Sequence, residues 1–239
     1  MKKLILTAAA LALSVGTAFA QDVVRMGTEG AYPPYNFIND KGEVDGFERE
    51  LGDTLCAKAE LKCTWVTNEW DSIIPNLLSG NYDTIMAGMS ITDERMQTID
   101  FTQNYIPPAA SSYAALKADA NLKGVVAAQV GTIQADYIAK SGATLLEFAT
   151  LDDTVAAVKN GEADAVFADK DALKPFVDEG KDLVWSGEDV PLGGGVGMGL
   201  RKSDTELKAK FDAVITAMKA DGSLNAMIKK WFGDEAAVF

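Results

Sequence analysis

The stretch MAGMSITDER, residues 86–95, connects a short predicted strand at 83–86 to a predicted helix. Thr92 is suited to cap that helix, and acidic residues fill its first turn. Gly88 would let a ligand approach the backbone closely, and Arg95 offers a planar fork that can pair with a carboxylate at two points. The pattern indicates either a carboxylate site at a strand–helix junction or an ordinary junction with a surface arginine.

Strands and helices alternate on the N-terminal side of this stretch. The predicted elements there are strands at 23–28 and 62–67 and helices at 47–59 and 71–79. This order predicts a parallel sheet that is covered by helices. The intervening segment 29–37 is rich in aromatic residues and prolines, and it is predicted to be irregular. Aromatic residues in such a loop either pack beneath it or contact a ligand.

The pair Pro107-Pro108 interrupts the alternation and precedes a second series of strands and helices, which includes predicted strands at 125–129 and 165–168 and a last strand at 183–186. The glycine-rich run 193–199 interrupts it again, and its spacing fits neither a dinucleotide-binding nor a phosphate-binding loop. Two crossings predict two lobes and a cleft that closes around a ligand. The predicted lobes are 21–108 with 195–239, and 109–194.

Residues 1–20 are predicted to be a secretory signal peptide. Lys2 and Lys3 precede an apolar run, and Ala18-Phe19-Ala20 fits the small-x-small rule for cleavage. The apolar run is short for a membrane anchor. We therefore expect the mature protein to be exported to the periplasm of a Gram-negative bacterium.

The composition excludes several classes of function. The 239 residues carry a formal net charge of -13, which disfavours nucleic acid and anionic membranes as partners. The absence of histidine removes the common serine and cysteine hydrolase mechanisms and most zinc sites. Cys56 and Cys63 are the only cysteines, and in an oxidising compartment a disulfide between them is favoured over two free thiols.

Charged and polar residues near predicted strand ends and helix starts could hold a zwitterionic amino acid between the lobes. Arg95 would bind the carboxylate, and Gly131-Thr132 would add backbone N–H groups at the start of a helix. Asp169 follows a predicted strand and would bind the ammonium group with help from Ser90. A helix N-cap is the alternative role for Asp169, and the two roles are compatible.

A second group of residues could hold the ligand side chain. Glu29 follows the first predicted strand, where its carboxylate would favour a cationic side chain. Tyr32 and Trp70 could flank the methylene groups of that side chain and stack on its cationic end. Core packing is the alternative role for both aromatic residues.

From about residue 24 to residue 231, the chain resembles the periplasmic solute-binding proteins of polar amino-acid ABC transporters. The nearest resemblance is to the lysine/arginine/ornithine-, histidine- and opine-binding members. The matching segments occur in order along the chain and are Gly27-Thr28-Glu29, Gly46-Phe47, Asp71-Ser72-Ile73-Ile74-Pro75, Ile85-Met86, Ser90-Ile91-Thr92 with Arg95, Gly131-Thr132, Ala163-Asp164-Ala165 and Gly197-Met198-Gly199-Leu200-Arg201-Lys202.

The resemblance implies an α/β, two-lobed periplasmic-binding-protein type II fold. Each lobe would be a mostly parallel sheet flanked by helices, and a two-segment hinge would join the lobes. The same ligand roles follow for the residues named above, and a disulfide at Cys56 and Cys63 matches the basic amino-acid binders. Ala87-Gly88 replaces a pair of serines and Ile133 replaces a threonine, so only backbone contacts are expected at these three positions.

The expected function is capture of a basic L-amino acid of the lysine, arginine and ornithine class and its delivery to an inner-membrane ABC permease. An opine or another polar amino acid is the alternative ligand. An enzyme resembling the periplasmic dehydratases of the same fold is the alternative class, although a binding protein without catalytic residues is favoured. We expect a monomer without a cofactor, a metal or a nucleic-acid partner.

Overall fold

The computed structural model describes residues 23–179 and 182–239. The predicted signal peptide lies outside the described residues. Within them, none of the helices has the length and apolar character needed to cross a membrane. The strands are β1 Val23–Thr28, β2 Ala31–Tyr32, β3 Asn36–Ile38, β4 Val44–Asp45, β5 Lys62–Thr67, β6 Thr84–Ile85, β7 Asp100–Phe101, β8 Ala110–Ala115, β9 Val125–Gln129, β10 Thr144–Phe148, β11 Ala165–Asp169, β12 Val184–Pro191 and β13 Gly199–Leu200.

The α-helices are α1 Phe47–Lys58, α2 Ile73–Leu78, α3 Asp93–Thr98, α4 Ile133–Ser141, α5 Leu151–Lys159, α6 Lys170–Lys174, α7 Thr205–Ala220 and α8 Ser223–Phe232. A 3-10 turn, Trp70–Ser72, leads into α2, and a π-helical turn, Pro175–Glu179, continues α6. Threonine caps α3, α4 and α5: the hydroxyl oxygens of Thr92, Thr132 and Thr150 each accept an N–H from three residues later at 3.1 Å. These caps satisfy N–H groups that a helix start leaves unpaired.

Two five-stranded sheets form the two lobes, and helices flank both sheets. Their strand orders are β5-β1-β6-β13-β7 and β10-β9-β11-β8-β12. In the first sheet β13 is antiparallel to both neighbours, and in the second sheet β8 is. All other strands of each sheet share one direction, which confirms the prediction of mostly parallel sheets. The two reversed strands mark the crossings between the sheets. β8 is the first strand after the chain enters the second sheet, and β13 is the strand that follows its return to the first sheet.

The two crossings lie between β7 and β8 and between β12 and β13. They meet at Val196, which forms isolated antiparallel bridges with Ser90 and Ile106. The lobe boundaries at 108/109 and 194/195 fall in these two connections and stay a prediction.

The prediction that residues 29–37 are irregular is wrong in part. Ala31–Tyr32 pairs with Asn36–Phe37, and β3 pairs in turn with β4, which makes a small three-stranded antiparallel sheet. These strands are only two or three residues long, which is too short to show an alternating pattern in the sequence. The proline pair in the turn between β2 and β3 also indicated irregular structure. The predicted last strand at 183–186 is also longer, because β12 continues past an irregularity after Ser186 to pair again with β8.

The disulfide between Cys56 and Cys63 is confirmed, with Cα atoms 6.2 Å apart. It joins the last turn of α1 to the start of β5. Cys56 is buried in the hydrophobic core of the first lobe, close to Leu55 and Met26. The bridge therefore fixes the end of this helix against the edge of the first sheet.

Replacing both cysteines with serine is expected to lower the free energy of unfolding by about 2 kcal/mol. The bridge closes a loop with a sequence separation of 7 residues, and cross-linking a short loop removes a modest amount of unfolded-state entropy. Urea denaturation of the oxidised protein and of the double variant measures the difference. Reductant should destabilise the wild type alone, and equal midpoints for the two proteins would contradict the prediction.

Candidate functional site

A cavity of about 290 Å³ lies between the two sheets. The structure places all ten residues that the sequence predicted for ligand binding around it. They are Glu29, Tyr32, Trp70, Ala87, Gly88, Ser90, Arg95, Thr132, Ile133 and Asp169. Gln129 and Gln134 complete the lining.

The parallel strands explain why residues so distant in sequence meet here. Glu29 follows β1, and the stretch 86–95 follows β6 in the first sheet. Gln129 ends β9 and Asp169 ends β11 in the second sheet. Ligand crevices form outside the carboxyl ends of parallel strands, and the cavity joins these ends from both sheets.

Arg95 extends from the first turn of α3 across the cavity. Its Nη1 donates to the carbonyl oxygen of Ser90 at 2.8 Å, and its Nη2 donates to the carbonyl oxygen of Gly131 at 3.3 Å. Its Cζ lies 5.3 Å from the centroid of the Trp70 ring. Burial lowers the pKa of the guanidinium, and the charge of Asp169 acts in the opposite direction. An arginine remains protonated under such conditions, so the cavity contains a fixed positive charge.

Asp169 accepts hydrogen bonds from both lobes. The hydroxyl of Tyr32 donates to Oδ2 at 2.7 Å, and Nε2 of Gln134 donates to Oδ1 at 2.8 Å. Burial raises the pKa of the Asp169 carboxyl to about 6, and the nearby charge of Asp171 adds to the shift. Asp169 occupies the N-cap position of α6, but its side chain forms no capping hydrogen bond there. Asp169 lines the cavity and has no ion-pair partner among the described residues, so its buried carboxylate is suited to bind a cationic group.

Glu29 lies opposite Gln129 across the cleft. Nε2 of Gln129 donates to Oε1 of Glu29 at 2.6 Å and to the carbonyl oxygen of Ala149 at 2.9 Å. Burial raises the pKa of the Glu29 carboxyl to about 7, the Gln129 hydrogen bond lowers it, and the charge of Glu48 raises it further. The cavity thus has a second carboxyl group, and its charge changes near neutral pH.

Thr132 caps α4 with its hydroxyl and cannot offer that group fully to a ligand. Its Oγ1 accepts from the N–H of Ala135 at 3.1 Å and donates to the carbonyl oxygen of Gln129 at 2.7 Å. The backbone N–H groups at the start of α4 are the donors that remain for an anion. Ile133 lies in that first turn, so its expected backbone contact is compatible with its position.

The loop around Gly88 is held from beneath by Glu48 of α1. The buried carboxylate of Glu48 accepts from the N–H of Gly88 at 2.8 Å, from Nδ2 of Asn36 at 2.7 Å and from the hydroxyl of Tyr105. Gly88 has a φ of 62°, and a Cβ there would lie 3.2 Å from Cδ1 of Tyr32. Gly88 therefore provides space for Tyr32, and Glu48 fixes the backbone of Gly88.

Sequence reasoning missed Gln129, Gln134 and Glu48. Gln129 ends a predicted strand directly before the Gly131-Thr132 pair, so the strand-end rule that selected Asp169 would have selected it as well. Glu48 is spaced three and seven residues before Leu51 and Leu55, which places it on the buried face of the helix. The spacing of Gln134 gives no comparable signal, because its contact with Asp169 spans 35 residues.

The geometry combines three features in one enclosed space. A guanidinium and a helix start can bind a carboxylate, Asp169 can bind an ammonium group, and Glu29 can bind a second cationic group. Three hydrogen bonds, from Arg95, Tyr32 and Gln129, already connect the lobes across this space. A ligand in the cavity would contact both lobes.

Comparison with known proteins identifies the relatives of this chain. Residues 24–234 match the family of bacterial extracellular solute-binding proteins, family 3. The L-arginine-binding protein of Pseudomonas aeruginosa is 35% identical over 254 residues, covering 97% of each chain. The lysine/arginine/ornithine-binding periplasmic protein of Escherichia coli strain K12 is 34% identical over 257 residues, again covering 97% of each chain.

A solved structure has the same fold. It is a periplasmic His/Glu/Gln/Arg/opine family-binding protein from Silicibacter pomeroyi in complex with lysine, with a TM-score of 0.89 and 73% sequence identity. The match covers 90% of this chain and 100% of that chain. Because the family match spans almost all of the described residues, the chain belongs to the bacterial extracellular solute-binding proteins of family 3.

Proposed function

We propose that this protein is a periplasmic binding protein that captures a basic L-amino acid, of the lysine, arginine and ornithine class, and delivers it to an inner-membrane ABC permease. The observation that carries the proposal is the cavity with Arg95, Asp169 and Glu29 around it. These charges are complementary to a zwitterion with a cationic side chain. The lysine complex of the relative at 73% identity supports the same class of ligand.

Each charged residue has a role in this proposal. Arg95 and the N–H groups at the start of α4 bind the ligand carboxylate, and Asp169 binds its ammonium group with Ser90. Glu29 faces the cationic side chain, and Tyr32 and Trp70 flank its methylene groups. The relatives reported above are named as binding proteins, which supports capture and release of the ligand without chemical change.

Binding proceeds by closure of the two lobes. A ligand that contacts both sheets has more favourable interactions in the closed state than in the open state, so it shifts the population toward closure. The side chains of Arg95, Tyr32 and Gln129, which donate hydrogen bonds across the cleft, would contact both the ligand and the opposite lobe. The closed form is then the one that the permease receives.

Calorimetric titration at pH 8 with arginine, lysine, ornithine, histidine and glutamine tests the proposal. One of the first three is expected to bind most tightly, because Glu29 is mostly ionised at that pH and the cavity favours a cationic side chain. Tightest binding of glutamine at pH 8 would contradict the assignment of Glu29. Absence of binding for all five would contradict the proposed function.

A further inference from the structure

Glu48 is a fully buried acidic residue beneath the cavity, and the proposed ligand contacts do not use it. Its carboxylate accepts hydrogen bonds from three separate segments, through the N–H of Gly88, Nδ2 of Asn36 and the hydroxyl of Tyr105. All three partners donate, which matches an ionised carboxylate because that group can only accept. Among the described residues, no lysine or arginine forms an ion pair with Glu48. The three donors therefore have to compensate for its burial.

Asn36 extends this arrangement to the backbone beside Glu29. Its Oδ1 accepts from the N–H of Gly30 at 2.7 Å, while its Nδ2 donates to Glu48 at 2.7 Å. A backbone N–H can only donate, so Gly30 determines which end of the Asn36 amide faces Glu48. Asn36 is fully buried and also pairs with Tyr32 between β3 and β2. The hydrogen bonds from Gly30 through Asn36 to Glu48 therefore form a relay with one fixed direction.

The helix that carries Glu48 is fixed at both ends. At its start, the N–H groups of Phe47 and Glu48 donate to the carbonyl oxygens of Pro34 and Tyr35 at 3.0 and 2.8 Å. At its last turn, the disulfide joins α1 to the edge of the first sheet. A carboxylate on such an element can hold neighbouring loops in place, because the element itself does not yield.

Building on the proposed function, we propose that Glu48 is a positioning residue for ligand binding. Its carboxylate directs the hydrogen bonds that hold the backbone at Gly88 and, through Asn36, at Gly30 next to Glu29. Gly88 and Glu29 both line the cavity, whereas Glu48 does not. Glu48 therefore acts on the ligand through these two segments, and a small displacement of either one would misplace groups that the ligand contacts.

Glu48→Gln tests the donor and acceptor pattern because it keeps the size of the side chain and replaces one acceptor oxygen with an NH2 group. In one orientation the new nitrogen faces Nδ2 of Asn36, and Asn36 cannot turn because Nδ2 would then face the N–H of Gly30. In the other orientation the new nitrogen faces the N–H of Gly88. Either way two buried donors oppose each other, and the dissociation constant of lysine is expected to increase about tenfold or more.

A second substitution should restore binding. Asn36→Asp alone places a second carboxyl group against Glu48 and is expected to weaken lysine binding about tenfold as well. In the double variant Glu48→Gln/Asn36→Asp, the new amide nitrogen can donate to the new carboxylate, whose other oxygen still accepts from the N–H of Gly30. The number of charges is unchanged. The double variant is therefore expected to bind lysine within about threefold of the wild type, which is far from the product of the two single losses.

Calorimetry with lysine at pH 8 measures the constants, at a temperature well below the unfolding midpoint of every variant. Tyr82→Phe is the matched control for lost stability. The hydroxyl of Tyr82 donates to the carbonyl oxygen of Ile73, and Tyr82 is fully buried in the same lobe but outside the cavity lining. This variant should have a lower unfolding midpoint and keep the lysine affinity of the wild type, so a loss of stability alone would not imitate the effect of Glu48→Gln.

The outcomes distinguish this inference from the proposed function. Wild-type affinity in both single variants would overturn the role of Glu48 and leave the binding of basic amino acids intact. Losses that multiply in the double variant would overturn it as well, because the direction of the relay would not matter. If a single variant is recovered unfolded, the double variant decides: near-wild-type affinity supports the role, and weak binding or failure to fold overturns it. Absence of lysine binding by the wild type would overturn the proposed function and the positioning role together.

Discussion

Replacing Asp169 with alanine is expected to weaken lysine binding by about 3 kcal/mol or more, which is more than a hundredfold in the dissociation constant. The reason is electrostatic. In the closed cavity the ligand ammonium is removed from water, and Asp169 is the carboxylate that lies ready to neutralise it. Without it, a buried cation is left without a partner.

Asp169→Asn separates charge from hydrogen bonding. Asparagine keeps the size of the side chain and an oxygen that can accept from Tyr32, but it has no charge. A loss close to that of the alanine variant is expected. Asp152→Asn, at an exposed position in the first turn of α5, is the control and should bind as the wild type does. Calorimetry at pH 8 measures the constants, and wild-type affinity in Asp169→Ala would show that the ammonium binds elsewhere.

Arg95→Ala is expected to cause a loss of similar size, again about 3 kcal/mol or more. The ligand carboxylate would lose the one cation of the cavity lining, among the described residues, and keep only neutral N–H donors. Arg95→Lys keeps the charge but loses the fork that pairs with a carboxylate at two points. Its affinity should therefore fall between those of the wild type and the alanine variant.

Arg49→Ala provides a matched control for Arg95→Ala. Arg49 also lies over a tryptophan, with its Cζ 5.9 Å from the centroid of the Trp65 ring, and its Nη1 donates to the carbonyl oxygen of Val44 at 3.0 Å. It is outside the cavity lining. Each variant should lose a tryptophan contact and a hydrogen bond to a backbone carbonyl, and Arg49→Ala also loses the ion pair with Asp53, but only Arg95→Ala should lose ligand affinity. Equal affinities in the two variants would place the carboxylate site away from Arg95.

Local patterns predicted most of the helices and sheets because their causes are local. The apolar stripe of α1, with Phe47, Leu51 and Leu55 fully buried, follows from helical spacing. The start of α3 follows from the capping hydroxyl of Thr92. Elements whose existence depends on a distant partner were missed or shortened. The pairing of β12 with β8 beyond Ser186 is one example. The short strands β2 and β3 were missed for a different reason: they are neighbours in sequence, but two or three residues are too few to show an alternating pattern.

The sequence by itself determined the succession of strands and helices, the paired cysteines, and the set of charged residues at strand ends that could hold a zwitterion. Only the tertiary structure decided how these residues are coupled. Tyr32 and Asp169 are 137 residues apart, and Glu29 and Gln129 are 100 residues apart, yet each pair shares a hydrogen bond across the cleft. Burial in that cleft raises the pKa of Glu29 and of Asp169. Desolvation depends on everything packed around a group, and no local pattern of residues contains that information.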